Sequence, residues 1–562
     1  MINHANEGGA SLGTLFDQHR GLLDDALRAL SARGFWTPFP EIPSGKIYGE
    51  TARDDGQVAF DSALGTAFEI PGHPHAQRVG AEVSPWGFAL DITYPAADAP
   101  ALIAASQAAA PAWAEAGPEA WVGVCLEILT RLNAMSFLMG HAVMHTTGQA
   151  FPMAFQAGGP HAQDRGLEAV AMAWAEMTRV PESALWEKPQ GTAAPLVIEK
   201  HWQVVPRGVA LVIGCNTFPT WNSYPGLFAS LATGNTVIVK PHPSAILPLA
   251  LTVRLAREVL AEAGYPADAV LLAADAPGAE ITQDLVQVPA VRMIDYTGSN
   301  AFGDWVRSHA APGTQAYTEE AGVNSIVIAG TDDFAGMCAN IAFSLSLYSG
   351  QMCTAPQDIF VPRGGIDTDM GHKSFDEVAK GIAGAVDALL ADPARASGVC
   401  GTLANPATLD RVAQARSLGR VIRDSQPLAE GRSASPLILA VEAGETDAYE
   451  AECFGPISFV VAVDDAEAGV ARAADLAQRK GAITAALYDT DEDRIPRVAA
   501  AFARAGVNLS VNLTGNIYVN QSAAFSDFHV TGANPAGNAS LTDAAFVANR
   551  FRVAMWRRPR AA

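Results

Sequence analysis

Residues 236–273 read TVIVKPHPSAILPLALTVRLAREVLAEAGYPADAVLLA, and the change of rhythm inside this stretch decides the fold. Thr236 to Val239 is a short, β-branched apolar run of the kind a buried strand needs. From Ser244 to Ala263 the apolar residues recur at helical spacing, and Gly264 follows as a stop. Val270 to Ala273 is again short and apolar. Strand, helix, strand in this order predicts parallel strands with the helix packed across them. Working outward, Gly208 to Gly214 and Val291 to Ile294 read as further buried strands, so Val204 to Tyr296 predicts an α/β unit with helices on both faces of a parallel sheet.

Upstream, Ala101 to Met177 is mostly helical, with breaks expected at Pro111, Gly117-Pro118 and Gly158-Gly159-Pro160. Ser11 is expected to cap a first helix carrying Leu12, Leu15, Phe16, Leu23, Leu27 and Leu30, with Gly34 as its stop. Two alternating ribbons, Ala194 to Val205 and Phe551 to Trp556, stand outside the main rhythm. They read either as arms that pair subunits or as ordinary edge strands.

A chain of 562 residues suits two or three domains, each with its own core. With 59 acidic against 37 basic residues the formal charge is −22, which opposes binding to nucleic acid or an anionic membrane. The basic Arg557, Arg558 and Arg560 are expected to form a solvated tail. No run approaches 18 apolar residues and Met1 to Gly9 lacks a basic start before an apolar stretch, so a cytoplasmic location without membrane spans is expected.

The six cysteines are dispersed with no CxxC pair, so neither a zinc ribbon nor a disulfide scaffold is expected, and a catalytic thiol is. Gly9-Ala10-Ser11-Leu12-Gly13 satisfies the nucleophile-elbow pattern but follows no strand, and reads as the lead into the first helix. His141 and His145 share a helix face without the Glu of a zinc protease or a third ligand, so no metal site is expected. Neither GxGxxG nor a Walker A sequence occurs.

Gly350-Gln351-Met352-Cys353-Thr354-Ala355 places a thiol among small residues, between a helical run from Phe334 to Tyr348 and a strand from Ile359 to Val361. Such a junction opens a thiol to substrate beside backbone N–H groups that stabilise an oxyanion. Thr318-Glu319-Glu320-Ala321-Gly322-Val323-Asn324 brings paired carboxylates into a flexible stretch before a strand from Ser325 to Ala329. Here the sequence resembles the aldehyde dehydrogenase superfamily, whose general-base motif runs Glu, apolar, Gly, Gly, x, Asn, with the nucleophile in a later Gly-Gln-x-Cys context. Aligning on Asn324 selects Glu319, 34 residues before Cys353. Ala321 and Gly322 stand for the double glycine, and Val323 for the usual Lys.

Three more motifs fall in the family's order. Tyr296-Thr297-Gly298-Ser299, with Gly303 beyond, resembles the turn that opens a helix beside the coenzyme pyrophosphate, where a helix N-terminus favours phosphate. Glu452-Cys453-Phe454-Gly455-Pro456 resembles the Glu-x-Phe-Gly-Pro that holds the nicotinamide ribose and steadies the ring. Asn235 to Pro241 resembles the strand ending in a Lys on the adenosine ribose, here Lys240. For the oxyanion Asn, Cys215-Asn216-Thr217-Phe218-Pro219 carries one extra residue, so Asn216 is the expected donor while the Phe-Pro register points to Thr217.

The resemblance covers about Ala101 to the C-terminus and implies an aldehyde dehydrogenase-like α/β architecture. Its parts are a Rossmann-type coenzyme domain over residues 1–318 with an oligomerisation hairpin at 186–207, a catalytic domain over 319–526, and a return segment with a C-terminal strand over 527–562. It implies NAD or NADP as coenzyme, a small-molecule aldehyde as substrate, and a homodimer or homotetramer. Because Pro243 stands where many NAD-preferring relatives place a Glu, NADP is expected to be accepted at least as well as NAD. Within the superfamily the chain is most similar to the phenylacetic acid degradation protein PaaN group. That implies a semialdehyde from aromatic catabolism, including one carrying a CoA thioester. Pro241-His242-Pro243-Ser244-Ala245 also resembles a stretch of the CoA-acylating branch, so release to CoA stands as an alternative to hydrolysis, as does a non-catalytic binding protein on the same fold.

Overall fold

The computed structural model describes residues 14–541 and 543–560. Its centre is a parallel five-stranded sheet in the order Val270–Leu272, Thr236–Lys240, Val209–Ile213, Val291–Thr297, Gln315–Glu319. The alternation along each strand sends side chains to two cores. Ala210 and Val212 face the larger cluster, with the long helices, while Val209 and Leu211 face a smaller one with Ile103 and Leu285. Chain order reverses between Val209–Ile213 and Val291–Thr297. Open α/β sheets take ligands at such a switch point, outside the carboxyl ends of the strands.

A second sheet runs Arg420–Arg423, Leu437–Glu442, Ile457–Val463, Pro356–Pro362, Asn324–Ile328, Thr484–Tyr488, Asn508–Val511, parallel except for its first pair. Val327 faces one core and Ile326 and Ile328 the other, so this sheet too is buried on both sides. A third, antiparallel sheet joins Ser183–Gln190, Ala193–Pro206 and Phe551–Pro559. Both ribbons singled out in the sequence therefore pair with each other. Arg558 lies in this sheet and pairs with Glu199 at 3.0 Å, and the Arg560 N–H donates to Val197 O, so the basic run is solvent-exposed, as expected, but held in and beside a strand rather than forming a tail.

The expected elements appear with displaced ends. Ser11, the glycines at 9 and 13, and the whole elbow-like pattern lie outside the described residues. The first helix spans Leu15–Ala32, capped by Thr14 in a reciprocal box with Asp17, and it ends at Arg33 in a left-handed conformation rather than at Gly34. Pro111 lies inside the helix Ala99–Ala134, whose break falls at Gly117, with φ of 83°. The helix expected from Ser244 begins at Leu247. Among the described residues no single helix is long and apolar enough to cross a membrane.

Candidate active site

Cys353 sits just before the strand Pro356–Pro362 of the second sheet, at the end of a strained approach. The helix Phe334–Ser346 gives way to Tyr348 and Ser349, both at φ 50°, and then to Gly350 at φ 64°. Left-handed backbone at two residues that carry side chains costs energy and is held only by good anchors. Tyr348 Oη donates to Thr147 O at 2.6 Å, and Ser349 Oγ to Ala434 O at 2.9 Å. Asn324 completes the hold. Its amide donates to the carbonyls of Cys353 (2.8 Å) and Ala355 (2.9 Å) and accepts from the N–H groups of Ile483 and Thr484.

Glu319 ends the edge strand Gln315–Glu319 and turns toward the thiol. Its carboxylate accepts from Asn222 Nδ2 at 3.4 Å and lies 3.1 Å from His529 Nε2, and His529 Nε2 is 3.5 Å from Cys353 Sγ. Burial pushes the Glu319 carboxyl up, but the His529 charge and hydrogen bond outweigh it and hold the group below the usual carboxylate range. Burial first, and then the Glu319 carboxylate, push the Cys353 thiol well up. The adjacent Glu320 faces away. It is buried and ion-paired with Arg307, and Gly303 leaves it room, since a Cβ there would meet its carboxylate. Gly322 is likewise required for space, because a Cβ would sit 2.9 Å from Gly481 O.

Two cavities meet at this cluster. One of about 570 Å³ holds Cys353 and is walled by aromatic and thioether side chains, including Trp36, Phe39, Met153, Phe218 and Phe343. A smaller one of about 80 Å³ lies toward the switch point and holds Glu319. Trp221, Asn222 and His529 line both. Asn216 and Thr217 line neither. The Thr217 carbonyl accepts from Gln149 at 2.8 Å, and Asn216 Oδ1 is buried without a hydrogen-bond partner. Asn222, one turn into the helix Pro219–Leu231, is the amide that reaches the cluster. His529 and Asn222 carried no motif in the sequence. Only their place after the Phe-Pro turn and in the returning chain brings them here.

The remaining expected residues lie at the carboxyl ends of the five-stranded sheet and on the loop after the strand Leu437–Glu442. Ser299 caps the helix Asn300–His309, and the Gly298 N–H donates to Glu319 O at 3.0 Å. A side chain at Gly298 would put a Cβ 2.4 Å from Tyr296 Oη, so the turn leaves the helix N-terminus bare. Lys240 is buried at the end of its strand with Nζ 2.7 Å from Asp275. Burial pushes the Glu452 carboxyl up to about 7, opposed by the Gly322 N–H and Arg411. Phe454 is held through its carbonyl by Arg411. His141 and His145 pack on the Phe60 ring, with His145 Nδ1 3.1 Å from Ser84 Oγ.

Residues 92–538 match the model of the aldehyde dehydrogenase family. The crystal structure of an NAD-dependent aldehyde dehydrogenase from Burkholderia multivorans has a TM-score of 0.96 at 55% identity, covering 98% of this chain and 100% of that one. A 1-pyrroline-5-carboxylate dehydrogenase from Thermus thermophilus shares the fold, with a TM-score of 0.72 at 20% identity over 93% of this chain and 99% of that one. Vanillin dehydrogenase of Corynebacterium glutamicum is 29% identical over 336 residues, 58% of this chain and 63% of the relative. A Bacillus subtilis 1-pyrroline-5-carboxylate dehydrogenase is 32% identical over 187 residues, 32% of this chain and 34% of the relative. The chain thus matches less than two thirds of the length of these curated relatives. The family match runs through both parallel sheets and both halves of the thiol–carboxylate cluster, and the chain belongs to the aldehyde dehydrogenase family.

Proposed function

We propose that this protein oxidises an aldehyde to the carboxylic acid with a nicotinamide dinucleotide, through a thioester on Cys353. The observation that carries this reading is the convergence of the Cys353 thiol and the Glu319 carboxylate on one imidazole, at the junction of an apolar cavity and the switch point.

The residues at the switch point fit a dinucleotide. The bare N-terminus behind Gly298 and Ser299 suits a pyrophosphate, Lys240 suits ribose hydroxyls, and Glu452 and Phe454 suit the nicotinamide ribose and ring. When bound, the coenzyme supplies the acceptor for the hydride. The chain supplies the rest. Cys353 attacks the carbonyl carbon, and the oxyanion takes hydrogen bonds from the Cys353 N–H and a side-chain amide. Asn216 was the expected amide, and Asn222 is the stronger candidate because it lines the cavity with Cys353. Glu319 then removes a proton from the water that releases the acid.

A cavity of about 570 Å³ walled by rings suits an aldehyde with a substantial apolar body. A ring-derived semialdehyde, including one borne on a CoA thioester, is the substrate class that the PaaN resemblance favours. The exposed Leu185, Trp186, Leu196, Val553, Met555 and Trp556 on the antiparallel sheet support pairing into a homodimer or homotetramer. We assign residues 1–318 to coenzyme binding, 319–526 to catalysis and 527–562 to the return and the pairing strand. A cytoplasmic location fits this chemistry.

A panel of aldehydes assayed with NAD and with NADP tests the reading. NADH or NADPH formation that disappears in Cys353→Ala, with coenzyme binding retained, is expected. Formation that persists in Cys353→Ala overturns the thioester route, none over the whole panel leaves a binding protein, and acyl-CoA as the product replaces hydrolysis by thiolysis.

A further inference from the structure

We propose that His529 accepts the proton of Cys353, and that Glu319 holds the imidazolium so formed. The proposal rests on the reading of Cys353 as the nucleophile and adds a residue that none of the sequence motifs contains.

His529 comes from the chain that returns across both cavities after the second sheet. Nε2 lies between the two partners, 3.5 Å from Cys353 Sγ and 3.1 Å from Glu319 Oε1, while Nδ1 is 3.5 Å from Ser522 Oγ. Nε2 reaches both partners, so the N–H formed when it takes the thiol proton donates on to the Glu319 carboxylate. The ring is fixed edge-on to Trp221, with centroids 4.5 Å apart. Arg165 anchors the returning segment, donating to the Ser522 side chain at 3.0 Å and reaching the Asp527 carbonyl at 3.4 Å. The ring therefore stands in place before any substrate arrives.

In the step itself the S–H bond breaks and its proton goes to Nε2. The sulfur pair forms the C–S bond as the carbonyl π pair moves onto oxygen. Charged groups face the imidazolium from several elements. Glu319 touches it and Asp527 lies two residues away, while Cys215 and, below about pH 7, Glu452 are neutral. Arg165 opposes it, but its charge is met by Glu168 at 3.0 Å, and Asp295 across the smaller cavity is met by Arg550 at 2.6 Å. Farther out, the larger cavity adds Glu41, His161 and Asp164. Burial and the Glu319 carboxylate raise the thiol and the imidazole opposes them, since a thiol paired with an imidazole can carry thiolate far below the ordinary cysteine range of about 8.5.

The test is alkylation of Cys353 by iodoacetamide in the full chain, without coenzyme or aldehyde and with EDTA present, mapped by mass across about pH 5 to 10. The wild type is expected to react at a nearly level rate through the neutral range. His529→Gln is expected to react at least about tenfold more slowly near pH 6.5 and to gain about tenfold per pH unit. His529→Ala with added imidazole guards against misfolding, since regained low-pH alkylation supports the pair and none overturns it. A His529→Gln profile that matches wild type overturns the proposal, and so does a wild-type profile that changes when EDTA is withheld, because the cluster would then be holding metal. Alkylation needs no turnover. A level wild-type profile in a protein that oxidises no aldehyde therefore sinks the oxidation reading, while intact oxidation with an unchanged His529→Gln profile sinks only the pair.

Discussion

The Lys240 ammonium lies 2.7 Å from the Asp275 carboxylate, at the carboxyl ends of neighbouring strands, with both side chains buried. Pro243 alone suggested free access for a 2′-phosphate, but Asp275 puts a negative charge beside the Lys that would meet it. A carboxylate there accepts from a ribose hydroxyl and repels a phosphate. Asp275→Asn keeps the shape and removes the charge. It is expected to raise the NADP-to-NAD ratio of kcat/KM by on the order of tenfold or more. Initial rates with both coenzymes check this, and an unchanged ratio returns the choice of coenzyme to Pro243 and its neighbours.

Glu319 and Glu320 are adjacent in the chain and opposed in role. Glu319→Gln leaves a neutral acceptor for Asn222 and for the His529 imidazolium but no base, so a first burst of reduced coenzyme should survive, slower than in wild type, while steady turnover falls by about 10²–10⁴. Glu320→Gln should instead lower the melting temperature, because it takes the charge from a buried carboxylate paired with the more exposed Arg307, and should leave the burst and turnover near wild type at low temperature. Rapid mixing and a thermal melt on both variants separate the two. If Glu320→Gln loses turnover without losing stability, the two assignments are exchanged.

Asn324 is a clamp, with both ends of one amide committed to four backbone groups. Asn324→Ala leaves those groups unpaired and should cost on the order of 2–4 kcal/mol of stability. Because two of them belong to the Cys353 turn, kcat should fall more than KM rises. A folded variant with ordinary kcat would show that the Tyr348 and Ser349 anchors hold the turn alone.

Much of this was legible because short apolar runs and helical periodicity are local signals. Thr236–Lys240 and Leu247–Glu262 could be read from a few residues each, whereas the choice of Glu319 over Glu320 rested on the resemblance to the aldehyde dehydrogenase motif, aligned on Asn324. Boundaries set by rival caps were not. Thr14 with Asp17 takes the first helix cap, and of the breaks expected at Pro111 and at Gly117-Pro118 only the second appears, at Gly117, whose φ of 83° no helix accommodates. Nor could the sequence find His529, which lies 176 residues from Cys353 and 210 from Glu319 and meets them only through the returning chain. The extra residue in Cys215-Asn216-Thr217-Phe218 had the same origin. A register argument chose between Asn216 and Thr217, whereas the helix that follows turns Asn222 inward.

Glu452 gives the site a pH dependence of definite sign. Burial raises its carboxyl from 4.5 to about 7. Between those values the folded protein keeps a proton that the unfolded chain has lost, so this group makes the fold less stable as pH rises through that window, with no further loss above about 7. Glu452→Gln removes the proton exchange and should flatten that part of the stability curve, leaving the variant relatively more stable than wild type at pH 8 than at pH 5 in chemical denaturation of the coenzyme-free protein. Coenzyme binding should move the opposite way. A carboxylate that accepts from ribose hydroxyls must be ionised to do so fully, so wild-type affinity should strengthen as pH rises through about 7, and Glu452→Gln should bind more weakly with that pH step gone. Calorimetric titration with NAD at several pH values reads both affinities. A Glu452→Gln protein that keeps the wild-type pH step would place the titrating group elsewhere in the cluster.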